Sequence, residues 1–147
     1  MSSNALLQDA WRQYFETSAA LTNAVDEHLQ ESSGLSVGDY NILLALVEAP
    51  EHRLRMGELA ERIIFSASRL SYRIRRHEDR EWVSIVPDAA DGRSRWVQLM
   101  PEGKRVFLRA AKLHSVFVRE HFMNLLSEDD AETLVRIFQR IELGLTS

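Results

Sequence analysis

Cysteine is absent from the 147 residues, which excludes disulfides, thiol redox sensing and zinc sites built on thiolates. Lysine is nearly absent as well. Of the 18 basic residues only Lys104 and Lys112 are lysines, so arginine carries almost all the positive charge. No apolar run approaches the length needed to cross a bilayer, and the polar N-terminus does not resemble a signal peptide; a cytoplasmic protein with no membrane contact is expected. The parts of an enzyme are also missing: no glycine-rich phosphate loop, no nucleophile elbow, no cysteine nucleophile and no paired carboxylates in an apolar setting. No enzyme activity and no cofactor are expected. His114 and His121 share a helix face beside Glu120, but seven residues is too wide a spacing for a zinc pair and a third ligand is not evident, so no metal is expected. With 45% hydrophobic residues the chain has the material for one core, and we read residues 1–147 as one domain.

The charge that is present is unevenly placed. The formal net charge is −4, yet residues 62–95 hold 8 arginines against 5 acids, a local +3 that leaves −7 for the rest. A DNA-binding element set in an acidic scaffold has this polarity. Its centre is the stretch Phe65-Ser-Ala-Ser-Arg-Leu-Ser-Tyr-Arg-Ile-Arg-Arg-His-Glu-Asp-Arg80. At helical spacing Ala67, Leu70, Ile74 and His77 fall along one side and Ser68, Arg69, Tyr72 and Arg76 along the other, with Arg73 and Arg75 flanking the outer face. Ser66 is placed to cap the first turn, so the helix is expected to begin at Ala67. Arginine's planar fork matches a guanine edge or a phosphate better than a lysine ammonium does, and this helix reads as one that enters DNA. The competing reading is a solvated face whose arginines pair locally with Glu78, Asp79 and Glu81.

Before this stretch, Leu7, Trp11, Tyr14, Leu21, Val25 and Leu29 mark a long amphipathic helix over 5–31, with Asn4 available as its cap. Ser32-Ser-Gly34 breaks it. Ser36 and Asp39 form a capping-box signal for a second helix that Pro50 ends. Residues 56–63 make a short third helix, and a tight link through Ile64, Phe65 and Ser66 joins it to the arginine helix as a helix-turn-helix. Beyond Arg80 the pattern changes to Trp82–Val86 and Arg95–Leu99, rich in β-branched and aromatic residues, with turn chemistry between. This predicts a two-stranded hairpin whose tip, Asp88 to Arg95, is too polar to be buried. Pro101 suits the start of a fifth helix running to about Leu126, and Ser127 with Asp130 signals a last one through Leu134, Val135, Phe138, Ile141 and Leu145. The terminal helices carry more apolar surface than a small helix-turn-helix can cover, which points to a homodimer; folding back on their own domain is the alternative.

The chain resembles the MarR family of bacterial winged helix-turn-helix transcription regulators over nearly its whole length. The likeness rests on Leu35-Ser36-x-x-Asp39-Tyr40, Met56-x-Glu58-Leu59-Ala60, Ser66-x-Ser68-Arg69-Leu70, Asp91-x-Arg93 and Val97-x-Leu99-x-Pro101-Glu102-Gly103. The resemblance implies a mainly α (α+β) fold: a winged helix-turn-helix module over 35–100 with a two-stranded β wing, and long N- and C-terminal dimerisation helices in 1–34 and 101–147. It further implies a homodimer on a pseudo-palindromic operator in double-stranded DNA, its recognition helices roughly 34 Å apart. Ser66, Ser68, Arg69, Tyr72, Arg73 and Arg76 would read or bracket the major groove, and Arg93, held by Asp91 with Arg95 nearby, would enter the minor groove. Three residues depart from the family pattern: Glu81 in place of a glycine after the recognition helix, His77 in place of leucine, and Met100 in place of a capping threonine.

By the same resemblance the regulator is a repressor released by a small aromatic or phenolic effector. Trp11, Tyr14 and Tyr40 would line its pocket, with Arg12, His28 or Arg55 available for a carboxylate; packing in the core or dimer is the other reading of these aromatics. A ligand-independent activator or architectural DNA binder is the alternative function, and an adaptor without DNA binding a further one. His77 is open to two readings, a protonation sensor or a hydrogen-bonded core residue.

Overall fold

A computed structural model describes residues 2–63 and 69–147. The chain forms α1 (Ser3–Ser33), α2 (Val37–Glu48), a 3-10 turn (Pro50–His52), β1 (Arg53–Arg55), α3 (Met56–Arg62), α4 (Leu70–Asp79), β2 (Val83–Pro87), β3 (Arg95–Leu99), α5 (Pro101–His121), a second 3-10 turn (Met123–Leu125) and α6 (Glu128–Thr146). It divides into two compact units, one through His114 and one from Ser115 onward.

In the first unit α2 supplies the centre of the core. Ile42, Leu43, Ala45 and Leu46 are all buried, and Leu35, Leu54, Leu59, Leu70, Ile74, Val83, Val97, Leu99, Phe107 and Ala110 complete the cluster around them. The capping box read from Ser36 and Asp39 is present: the Ser36 hydroxyl accepts from the Asp39 amide at 3.0 Å, and the Asp39 carboxylate accepts from the Ser36 amide at 3.2 Å. At α1 the cap is Ser2 instead of Asn4. The Ser2 hydroxyl accepts from the Ala5 amide at 3.3 Å, so the helix starts a residue earlier than Asn4 and takes Asn4 into its first turn.

The sheet has three antiparallel strands in the order β1-β3-β2: β2 and β3 are the two strands of the expected wing, and β1 adds a third beside β3. Leu54 of β1 pairs with Val97 and is buried, while Arg55 pairs with Trp96. Arg-Leu-Arg is too short to show a period, and only β3 beside it makes it a strand. α5 is packed against the sheet at Gly103: a Cβ there would collide with the Trp82 carbonyl oxygen, so this turn of helix tolerates no side chain. α5 stops at His121, short of Leu126, because Phe122 leaves helical geometry (φ −137°, ψ −63°) and a 3-10 turn follows.

The second unit contains the end of α5 and α6. Its capping box is also present, with the Ser127 hydroxyl accepting from the Asp130 amide at 3.1 Å and the Asp130 carboxylate accepting from the Ser127 amide at 2.9 Å. Among the described residues none in α6 is buried, although Val135, Phe138, Ile141 and Leu145 recur at helical spacing. Phe122, Leu126, Leu134, Val135 and Phe138 line an apolar groove within this unit.

Candidate nucleic-acid interface

α4 is amphipathic in the way its sequence implies. Leu70, Ile74 and His77 are buried; Arg69 ahead of the first turn, then Tyr72, Arg75, Arg76 and Arg80, are exposed. The described helix begins at Leu70. The expected start at Ala67, and with it the expected contacts of Ser66 and Ser68, falls outside the described residues. At the other end the chain turns through Glu81, which adopts the left-handed conformation (φ 62°). The Trp82 amide donates to the His77 carbonyl at 2.9 Å and the Glu81 amide to the Glu78 carbonyl at 3.0 Å, the paired bonds of a Schellman cap. The cap therefore forms on a glutamate, with the steric strain that glycine would avoid.

His77 is the polar member of the buried face, 1% exposed. Its Nε2 lies 2.8 Å from Asp39 Oδ1, and its ring packs edge-on to Trp82 with centroids 5.1 Å apart. Asp39 thus joins α2 to α4. Burial pushes its carboxyl up, but the hydrogen bond from His77, the Ser36 amide, the His77 charge and the Ser36 hydroxyl together hold it well below the ordinary range. Arg73 is tied to the same point: its Nη1 donates to the Ser36 hydroxyl at 2.9 Å and lies 3.6 Å from Asp39 Oδ1. Among the described residues, Arg73 is the one of the arginines expected to face DNA whose side chain is anchored within the protein, while Arg76 stacks loosely over Tyr72 at 5.8 Å.

The wing tip is built by two carboxylates. Asp91 accepts from the Arg93 amide at 3.0 Å, and the Ser94 amide donates to the Asp91 carbonyl at 3.2 Å, so Asp91 shapes the turn through the backbone of Arg93 and not through its guanidinium. Arg93 and Arg95 are exposed. Asp88, expected in a wholly exposed tip, is 8% exposed. It accepts from the Ala90 amide at 2.9 Å and from Arg55 at 2.8 and 3.2 Å, and the Ala90 bond is the main reason its carboxyl titrates below the usual range. Burial is tolerated only because these donors satisfy the carboxylate. Arg55 in turn lies over the Trp96 ring at 4.7 Å, with Arg53 over the same ring at 4.3 Å.

The expected ligand residues fall into separate groups. Trp11 lies 6.2 Å from Tyr14 and 5.5 Å from Phe15, ring centroid to ring centroid, and Trp11, Arg12 and Tyr14 are all exposed on α1. Tyr40 packs against Phe107 at 5.2 Å and His114 at 4.8 Å; burial, then the charge of His28, pushes the His114 pKa down. Arg55 is committed to Asp88. No sequence signal pairs residues as distant as 55 and 88, or 39 and 77, although a buried histidine at a leucine position did call for a polar partner.

An exposed arginine helix behind a short buttressing helix, followed by a hairpin with basic residues at its tip, defines a winged helix-turn-helix. The MarR family profile matches residues 33–94. Sco3205 from Streptomyces coelicolor, a MarR family transcriptional regulator solved in complex with DNA, is 32% identical over 99% of this chain and 90% of its own, with a TM-score of 0.88. AbsC, a MarR family transcriptional regulator from the same organism, is 32% identical over 99% of this chain and 97% of its own, with a TM-score of 0.89. A mutant of MarR from E. coli, complexed with operator DNA, shares the fold at 16% identity (TM-score 0.78; 96% of this chain, 99% of that one). The chain belongs to the MarR family of transcriptional regulators. No curated protein sequence matches it. Among the described residues no helix is long and apolar enough to cross a membrane.

Proposed function

We propose that the protein is a sequence-specific double-stranded DNA-binding regulator that acts as a homodimeric repressor. The observation that carries this reading is α4 itself: one face locked into the core by Leu70, Ile74 and His77, the other presenting Arg69, Tyr72 and Arg76 to solvent. A rigid helix with a guanidinium-rich outer face places forked donors at the depth of base edges, while Arg93 and Arg95 on the wing reach an adjacent groove. The DNA complex of Sco3205 supports the same use of the fold. Residues 35–100 form the reading module, and the flanking helices, with the uncovered stripe of α6, join two copies so that paired helices meet successive turns of a pseudo-palindrome.

Release by a small aromatic or phenolic anion is part of the proposal. Tyr40, His28 and His114 gather partly buried aromatic and basic groups near one another in the first unit, and Trp11, Arg12 and Tyr14 add an exposed aromatic and basic face on α1. Arg55 belongs to the wing instead. A ligand there acts only insofar as it prefers one spacing of the two recognition helices over another.

Footprinting on the promoter next to the protein's own gene tests the reading, repeated with added phenolic acids. A protected palindrome that phenolic acids release is the expected result; protection that they leave intact establishes a constitutive binder, and no protection removes the DNA-binding reading. Arg76→Ala is expected to cost about 1–3 kcal/mol of operator binding if the side chain reads a base; unchanged affinity takes Arg76 out of the readout.

A further inference from the structure

The arginines of α4 do more than face outward. Arg69, Tyr72, Arg73, Arg76 and Arg80 form one wall of an open cleft of about 370 Å³, closed on the other side by Gln30 and Gly34 at the end of α1 and by Ser36 and Asp39 at the start of α2. Four guanidiniums and a single carboxylate line it. The carboxylate is already engaged within the protein, since Asp39 Oδ1 lies 2.8 Å from His77 Nε2 and 3.6 Å from Arg73 Nη1. Arg73 is drawn tightly onto α2: a Cβ at Gly38 would fall 2.5 Å from its Nη1, so the absence of a side chain at residue 38 lets the guanidinium lie there. Gln30 is held from below by Asp26, to which its amide nitrogen donates at 2.7 Å.

Among the described residues Arg69, Arg76 and Arg80 form no ion pair, and Arg76 and Arg80 rest on the rings of Tyr72 and Trp82. Three uncompensated guanidiniums around one cleft repel each other unless an anion joins them. Their planar forks match the oxygens of a phosphate, and the cleft is open, so a phosphate that continues into a chain on either side can enter. The acidic balance of the rest of the protein makes this local field the place where such a group concentrates.

We propose that this cleft is a phosphate-binding site that takes a backbone phosphate of the operator, at the flank of the groove α4 enters. The assignment rests on the DNA-binding reading and extends it. Arg80, beyond the last turn of α4, becomes a contact that positions the backbone without reading sequence, and the end of α1, expected to serve only dimerisation, forms part of the DNA-facing surface. A free phosphate offers the same oxygens and is the other source of the ligand.

Two measurements on full-length Arg80→Ala and Arg80→Lys, each first matched to the unchanged protein in thermal melting, separate these cases. In the first, operator and scrambled duplexes are titrated across salt. Arg80→Ala is expected to weaken both by the same factor, about tenfold at low salt, and to lower the salt slope by about 1, with Arg80→Lys in between. A methylphosphonate scan should then find one backbone position per half-site whose neutralisation weakens the unchanged protein but not Arg80→Ala. In the second, inorganic phosphate is titrated against chloride at matched ionic strength and followed by NMR shifts of the arginine side chains. Binding of inorganic phosphate lost in Arg80→Ala, with duplex binding unaltered, assigns the site to the free anion and overturns the backbone assignment. Wild-type affinity in both measurements, or a changed base preference in place of a uniform loss, overturns the site altogether. Failure of the unchanged protein to bind any duplex would instead defeat the DNA-binding reading, and the phosphate titration would still report on the cleft.

Discussion

α2 and α6 begin with the same device and end with opposite fates. Each opens on a serine and closes a capping box with an aspartate three residues on, Ser36 with Asp39 and Ser127 with Asp130. Each carries apolar residues at helical spacing. Yet four residues of α2 are buried, while among the described residues none of those in α6 is. A cap and a period say only that a helix forms; what covers its apolar face is a property of the rest of the structure. For α2 that cover is the sheet, α1 and α3. For α6 we propose a second copy of the chain.

The largest expected effects separate these two kinds of apolar face. Leu46 is fully buried, and Leu46→Ala is expected to cost about 2–5 kcal/mol of unfolding free energy, the same at every protein concentration. Ile141 is 51% exposed, so Ile141→Glu leaves the first unit's core intact and acts on association. Sedimentation velocity should show the unchanged protein as a dimer and Ile141→Glu as a monomer. Equal, concentration-independent mass for both would mean that α6 needs no partner, and the comparison with α2 would lose its point.

A smaller effect distinguishes the two capping aspartates. Among the described residues Asp130 bonds Ser127 alone, as a cap, whereas Asp39 also holds a buried histidine and an arginine of α4. Because the Asp39 carboxyl titrates below its ordinary value of 3.8, it stays ionised on acidification in the folded state longer than in the unfolded one. Its contribution is therefore complete above that value and is lost as pH falls below it. Asp39→Asn should cost about 1–3 kcal/mol at neutral pH, by leaving His77 without its charged partner, and should flatten the acid limb of stability. Chemical denaturation from neutral pH down into the acid limb measures both, and a limb as steep in the variant as in the unchanged protein would show that Asp39 is not its source.

How much of this is legible in the sequence follows from the range of each interaction. The arginine helix, both capping boxes and the hairpin are legible because each is encoded within a few residues by period, cap or turn chemistry. β1 is not, since three residues hold no period and the strand exists only through its pairing with β3. The Arg55–Asp88 and Asp39–His77 contacts span 33 and 38 residues, and nothing local announces them. Sequence reasoning consequently offers Arg55 to a ligand's carboxylate and has no means of seeing its ion pair with Asp88. Glu81 differs again: it departs from the family's glycine, yet the Schellman bonds to Glu78 and His77 hold a glutamate in the left-handed conformation.

The smallest test returns to the two serines. Removing an N-cap hydroxyl typically costs about 0.5–2 kcal/mol, because one first-turn amide loses its partner. At Ser127 that is the whole loss, since among the described residues its hydroxyl bonds Asp130 of the α6 capping box alone. At Ser36 the hydroxyl also accepts from Arg73 at 2.9 Å, so Ser36→Ala frees an α4 guanidinium as well as an α2 amide. Ser36→Ala should thus lie at the upper end of the range and Ser127→Ala at the lower, measured by urea denaturation. Only Ser36→Ala should also alter the affinity for operator DNA, since Arg73 is then held by Asp39 alone. Equal stability losses with DNA affinity untouched would reduce Ser36 to an ordinary cap and remove the link by which the start of α2 steadies the reading helix.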